Sequence, residues 1–370
     1  MAAYKATKVA EDPSKKFTSF GVSYATLEAE KREKEHARKT MIETIKNTLN
    51  GLGKQSASKN NIFFLCHANY FYKTQQQFYY PAEIAFSAFS LKFGLIAAES
   101  FFVDPGKIPE GYKHEASEWS SRTHGIPIND PNWKEGLNNP LEMYAKIRKF
   151  IKKYSRESEI PPFYSMLEDP LNTTDRFSIV ECALSMITDS LEVTNPEFRI
   201  YCLPLLVFEI LNKCSPSINT TVPIIKRLIE RDVFSYTKDI GCPYHEKKDL
   251  SIHCSLSIVK RWVFTVCDLC CKYLGINSVI GRHVPNSYTS GMNNLPLQIE
   301  KDIESRKYSK GMNCSESVTP LTIIDHGRLK EQRGEERRVR EQLLQKWMGL
   351  RLPKRSYKNM THYNLNLQEK

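Results

Sequence analysis

The sequence predicts a mixed α/β domain, strands first and helices after. Three observations carry this. Residues 61–72, "NIFFLCHANYFY", and 83–105, "EIAFSAFSLKFGLIAAESFFVDP", are rich in Phe, Ile, Tyr and Val, as strands are. From about residue 140 the apolar residues recur at helical spacing instead. The chain has 370 residues, of which 41% are hydrophobic, enough to build a sizeable core between a sheet and its helices.

Taken in order, residues 24–50 read as a long charged helix with one thin apolar stripe, Leu27, Met41, Ile45 and Leu49. Residues 51–60 have the Gly, Ser, Lys and Asn content of a linker. The second apolar run contains a turn at Lys92–Gly94 that suits a hairpin, and Asp104-Pro105-Gly106 ends the strands. A polar stretch, "HEASEWSSRTHGIPI", follows and continues the order as strand, strand, strand, helix. Asn139-Pro140 is a plausible cap and first-turn pair for a helix with Leu141, Tyr144, Ile147 and Ile151 on one side.

Residues 177–191 fit either a buried strand or the start of a helix. Pro204 marks a helix start in "RIYCLPLLVFEILNKC", and Ile224–Val233 forms another helix. Ser251–Gly275 reads as a strong amphipathic helix with Ile252, Leu256, Val259, Trp262, Val263, Val266, Leu269 and Tyr273 at i+3 and i+4 and a C-capping Gly275. The folded domain is therefore expected over 61–276. Residues 277–370 are expected to be polar and loosely ordered, becoming a basic tail beyond 326 whose apolar Val339, Leu343, Leu344, Trp347 and Leu350 suit an amphipathic helix.

The formal charge is +11, which favours an anionic partner, with nucleic acid first among candidates. The 10 Cys are scattered through a long chain, unlike a small secreted disulfide scaffold. The opening "MAAYKATKVAEDPSKK" has no apolar core of a secretory signal, and apolar runs such as "IYCLPLLVFEIL" are too short and interrupted to span a bilayer. A reducing intracellular compartment is expected, in which free thiols can serve as metal ligands.

One stretch offers such ligands: "GCPYHEKKDLSIHCSLSIVKRW" puts Cys242, His245 and Cys254 within thirteen residues, on a tight turn and in the first turn of the following helix. Tetrahedral zinc sites use one close pair and ligands from an adjoining element, but four in all. The residues alone leave two accounts open: a zinc site whose fourth ligand is elsewhere, or a core Cys254 beside two loop residues. His253 is a weak rival for Cys254, because neighbouring helical residues point about 100° apart. Cys267, Cys270 and Cys271 lie on or beside the apolar stripe and read as core cysteines.

Residues 61–276 resemble the Maelstrom domain, the defining domain of a family of animal germline proteins. The motifs that carry the resemblance are "PAEIAFSAFSLKFGLI", "DPGKIPEGYKHEASEWSSRTHGIPI", "CPYHEKKDLSIHCSLSIVKRW" and, downstream, "VTPLTIIDHGR". The resemblance implies an RNase H-like, exonuclease-type sheet flanked by helices and a Glu, Cys, His, Cys zinc pattern. It supplies Glu83, about 160 residues upstream, as the fourth ligand beside Cys242, His245 and Cys254. Four protein ligands leave no place for water, so the implied Zn²⁺ is structural.

Active RNase H-like nucleases hold two metal ions roughly 3.5–4 Å apart, using acids that include a pair on the first strand. Taking Glu83 as the acid of that strand, the residues after it, Ala85, Phe86 and Ser87, supply no partner, so the two-metal centre is expected to be dismantled. The family resemblance implies a piRNA-pathway protein of perinuclear nuage and nucleus that silences transposons, binding single-stranded RNA and pathway proteins. It also implies an alternative, metal-independent cleavage of single-stranded RNA, for which His114, Glu115 and His124 are candidate acid–base groups. Residues 4–39 resemble the later part of a high-mobility-group box that lacks its first helix, a truncated DNA-binding module within residues 1–50.

Overall fold

The computed structural model describes residues 17, 23–50, 57–128, 130, 132–155, 159–167, 178–191 and 198–287. Six strands form one mixed sheet: β1 (Phe63–Lys73), β2 (Tyr79–Ser90), β3 (Gly94–Val103), β4 (Gly136–Leu137), β5 (Phe163–Ser165) and β6 (Ile200–Cys202). Their order is β4-β3-β2-β1-β5-β6. β1, β2 and β3 form an antiparallel meander, while β5 runs parallel to β1, β6 to β5 and β4 to β3. An antiparallel meander extended beyond its first strand by parallel strands is the arrangement expected of an RNase H-like sheet.

Every residue of β2 is buried, because the strand is central and both faces are covered. On one face Phe64, Cys66, Ile84, Phe86 and Ala88 pack against α3 (Pro140–Tyr154) and α4 (Ile179–Ser190). On the other, Phe63, Leu65, Phe89 and Leu91 pack against α5 (Leu203–Cys214), α6 (Val222–Glu230) and the last helix, Ser255–Cys270. The register puts Ala85, Ser87, Ala98 and Ser100 together on this second face. Such small side chains let the last helix approach the sheet closely.

Local chemistry settles the elements. Asn139 caps α3 as expected, accepting from the Leu141 N–H at 3.0 Å, with Pro140 in the first turn. Residues 177–191 resolve as a helix because Ser178 and Glu181 form a reciprocal capping box, with bonds of 2.8 and 3.1 Å. α1 (Tyr24–Thr48) buries Met41 and Ile45 against the second face and leaves its N-terminal half charged. The remaining helices are α2 (Lys113–Arg122) and a short α7 (Pro243–Lys247) that precedes the last helix, α8. No helix among the described residues is long and apolar enough to cross a membrane.

Four expectations need correction. Leu141 is 60% exposed and the buried side of α3 is Pro140, Met143, Ile147, Phe150 and Ile151, because the stripe that meets the sheet starts from Pro140 and steps on by three and four. α8 begins at Ser255, not Ser251. A 3₁₀ turn, Ser251–His253, precedes it and leaves Ile252 exposed. Leu27 is only half-buried, outside the core of the α1 stripe. The folded domain also continues past 276: His283 and Val284 are buried, and the His283 Nε2–H donates to the Leu91 carbonyl at 3.1 Å. Residues 1–16, 18–22 and 288–370, and with them the first part of the box-like segment and the whole basic tail, lie outside the described residues.

Candidate metal centre

Glu83 lies on β2, opposite Asn69 of β1 and Phe102 of β3, on the face that α8 covers. It therefore sits on the second strand, not the first, and in mid-sheet rather than at an edge. Cys242 is the N-cap of α7, with extended backbone (φ −80°, ψ 157°), and Pro243 follows in the first turn. Glu246 holds the entry to this helix by accepting the Gly241 N–H at 2.6 Å. His245, three residues after Cys242, falls on the same side of the turn. Cys254 is the N-cap of α8, between the 3₁₀ turn and the helix, rather than within its first turn.

Glu83, Cys242, His245 and Cys254 are all buried, and their ligand atoms lie within 4.8 Å of one another. Cys242 Sγ is 3.0 Å from His245 Nδ1. Glu83 Oε1 is 3.8 Å from His245 Nδ1 and 3.7 Å from Cys254 Sγ. Bonds of 2.0–2.3 Å arranged tetrahedrally put ligand atoms about 3.3–3.8 Å apart; the two Glu83 separations fall in this range, and the Cys242–His245 pair has only to open by a few tenths of an ångström to admit one small tetrahedral cation.

The hydrogen bonds leave the right atoms free for it. His245 Nε2 faces the His124 carbonyl at 2.9 Å, which can only accept, so the proton is on Nε2 and Nδ1 carries a lone pair. Glu83 Oε2 accepts from the Ser255 backbone N–H at 2.8 Å, leaving Oε1 toward the cluster. The Cys242 N–H points to Cys254 Sγ at 3.3 Å. Tyr244 covers the cluster with Phe102 and Trp133, ring centres 4.9–5.4 Å apart.

Without a cation, this set carries an electrostatic burden. Burial, then the neighbouring Cys254, pushes the Glu83 carboxyl up to about 8, against the pull of His245 and the Ser255 N–H. The two thiols share a contact that holds Cys242 below the usual thiol range and pushes Cys254 up to about 12, with burial adding to the latter. A divalent cation removes this conflict, and the half-buried Lys260 ammonium interacts with both thiols from α8.

His124 is structural. Its Nδ1 accepts the Ile126 N–H and its Nε2–H donates to the Tyr70 carbonyl, both at 3.1 Å, and burial lowers it to about 4, so the ring stays neutral. His114 and Glu115 are exposed on α2. The sequence of β1, FFLCHANYFYK, holds no acid at all; its polar residues on the face of Glu83 are His67 and Asn69. Asp268 lies thirteen residues beyond Ser255, about 20 Å along α8 from the cluster. Among the described residues this is the one grouping of His, Cys, Asp and Glu suited to a metal. Asn69 escaped the sequence reading, although a polar His-x-Asn inside an apolar strand was a visible signal.

Fold and site together define an α/β domain with RNase H-like strand order and a closed four-donor cluster where α8 crosses the sheet. A family model described as Maelstrom, piRNA pathway germ-plasm component, matches residues 72–290. The chain belongs to the Maelstrom family. It is 28% identical over 291 residues to a maelstrom homolog of Culex quinquefasciatus, covering 74% of this chain and 53% of that protein. It is 29% identical over 296 residues to Protein maelstrom 2 of Drosophila persimilis, covering 76% of this chain and 65% of that protein. Against Protein maelstrom of Drosophila melanogaster the identity is 28% over 230 residues, covering 61% and 49%. The chain thus spans about half to two thirds of the length of these relatives.

Proposed function

We propose that this chain acts in the piRNA pathway as a single-stranded RNA-binding scaffold whose domain is held together by a structural zinc ion. The observation that carries the reading is the convergence of four protein donors beside a first strand that offers no acid. Two thiolates, an imidazole and a carboxylate in tetrahedral spacing suit zinc, whereas magnesium and manganese prefer octahedral oxygen. With four protein ligands no position remains for an activated water, so the ion's work is to pin β2 to the starts of α7 and α8.

RNA is favoured by charge. The net charge is +11, and α3 exposes Lys146, Arg148, Lys149, Lys152 and Lys153 against one acid, Glu142. A face of this kind attracts phosphates without reading sequence. The family's description as a piRNA-pathway germ-plasm component supports the pathway, with work in perinuclear nuage and in the nucleus and with other pathway proteins as partners.

Metal analysis of the purified chain, with RNA binding and RNA cleavage measured with and without EDTA, tests this. One equivalent of zinc and binding without cleavage are expected. A chain that holds no zinc, or ignores single-stranded RNA, overturns the reading. Cleavage that survives chelation moves the chain to the second reading, a metal-independent ribonuclease, favoured by the adjacent exposed His114 and Glu115 on α2. The third reading, DNA binding by the box-like segment, whose first part lies outside the described residues, predicts binding to bent or four-way DNA.

A further inference from the structure

The two oxygens of the Glu83 carboxylate have different surroundings. Oε1 faces His245 and Cys254. Oε2 turns away and accepts two N–H groups, from the Ser255 backbone at 2.8 Å and from the Asn69 side chain at 3.2 Å. The same Asn69 amide nitrogen donates to the His253 carbonyl at 2.6 Å. Both partners of that nitrogen can only accept, which fixes the orientation of the amide: the NH₂ group must point at them. Asn69 stands directly across from Glu83 in the β1–β2 register. One side chain therefore ties the carboxylate to the residue immediately before Cys254.

We infer that Asn69 is a positioning residue of the metal centre: its amide holds Glu83 with a single oxygen toward the ion and sets the spacing between Glu83 and Cys254. The inference rests on the zinc reading above. A buried carboxylate with both oxygens free can rotate or bind through both, which changes the coordination number. Two donors on Oε2 prevent this, and hydrogen bonds to a charged acceptor are the stronger kind. Removing an outer partner of a metal ligand typically costs 10–100-fold in metal affinity. His67, two residues earlier on the same face, bonds the Ser255 hydroxyl at 3.0 Å and supports the start of α8, but the structure gives it no bond to a ligand side chain.

The test uses the full chain and two probes: zinc release to a chelating dye, and the visible spectrum of the cobalt(II)-substituted protein. In Asn69→Ala, zinc release is expected to rise roughly 10–100-fold, and the cobalt bands to change in position or intensity. Asn69→Ser, which keeps one donor on a shorter side chain, is expected to fall between; it also serves if the alanine variant fails to fold. His67→Ala is expected to release zinc more slowly than Asn69→Ala. Ile147→Ala, on α3, which packs through Phe150 against Phe64 and Phe86 on the face of the sheet turned away from Glu83, lowers stability without removing a site residue and should keep wild-type release and spectrum. If release in all these variants simply follows their melting temperatures, or if the Asn69 variants match wild type, the assignment to Asn69 is overturned. If the wild-type chain takes up neither zinc nor cobalt, it is the zinc reading that fails, and this inference with it.

Discussion

The ring of His245 donates its Nε2–H to the backbone carbonyl of His124, 2.9 Å away, and so turns its bare Nδ1 toward Cys242 Sγ at 3.0 Å. One bond thus selects the tautomer that can bind a metal and anchors α7 to the loop after α2. Replacing His245, Cys242 or Cys254 by Ala is expected to abolish stoichiometric zinc and lower the melting temperature by about 10 °C or more, since a lost ligand leaves other buried polar groups unpaired. Calorimetry and metal analysis of the same samples check this. Variants that keep both zinc and melting temperature would sink the structural role of the ion.

The pH dependence of the site has opposite signs with and without metal. In the metal-free protein Glu83 is raised from an ordinary carboxyl value of 4.5 to about 8. The stability it contributes is present at acid pH and is lost as pH rises through that interval, because the unfolded chain gives up the proton first. Metal binding needs the ionised carboxylate and thiolates, so zinc affinity should climb over the same interval with release of protons. Chelator-treated wild type is expected to melt at lower temperature at pH 8 than at pH 5.5, and this difference should shrink in Glu83→Gln. Titration calorimetry in buffers of different ionisation enthalpy measures the proton count directly. A zinc affinity that does not vary from pH 5.5 to 8 contradicts the ligand set.

The exposed cations of α3 give a separable prediction. The double variant Lys149→Glu, Lys152→Glu is expected to weaken single-stranded RNA binding across sequences and to flatten the plot of log affinity against log salt by about one unit per lost phosphate contact. Both side chains are exposed, so the melting temperature should barely move. Fluorescence anisotropy at several salt concentrations decides it: an unchanged slope removes α3 from the RNA track.

Legibility in the sequence followed the range of the interactions. The β2–β3 hairpin, the capped start of α3 and the start of α5 at Pro204 are specified by neighbours a few residues apart, and all were readable. So were Cys242, His245 and Cys254, which share one turn and the start of the next helix. Glu83 was not: it faces them only because β2 is central and α8 crosses it, and family resemblance alone supplied it. Residues 177–191 were ambiguous because an apolar run suits a buried strand or a helix equally, and only the Ser178–Glu181 pairing breaks the tie. Placing Glu83 on the first strand failed for another reason. Chain order already puts the strand of residues 61–72 ahead of the one that holds Glu83; the expectation came from matching Glu83 to an acid-bearing first strand, and β1 carries no acid to take that place.

The C-terminal limit of the domain yields the last prediction. Gly94, in the β2–β3 turn, has φ +66°, and a Cβ there would stand 2.4 Å from the Arg282 carbonyl oxygen. The Leu95 N–H donates to that same oxygen at 2.8 Å. Residues 279–284 therefore lie directly on the turn, a contact between segments almost 190 residues apart that no local pattern announces. Gly94→Ala meets both a left-handed backbone and a backbone clash, so a loss of roughly 2–4 kcal/mol is expected. His283→Ala, which leaves the Leu91 carbonyl without that donor, is expected to cost about 1–3 kcal/mol. Because Gly94 and Glu83 are at opposite ends of the hairpin, zinc content should stay at the wild-type level in both variants. Denaturant unfolding monitored by circular dichroism measures the loss. Wild-type stability in both variants would mean that residues 279–284 do not belong to the folded unit.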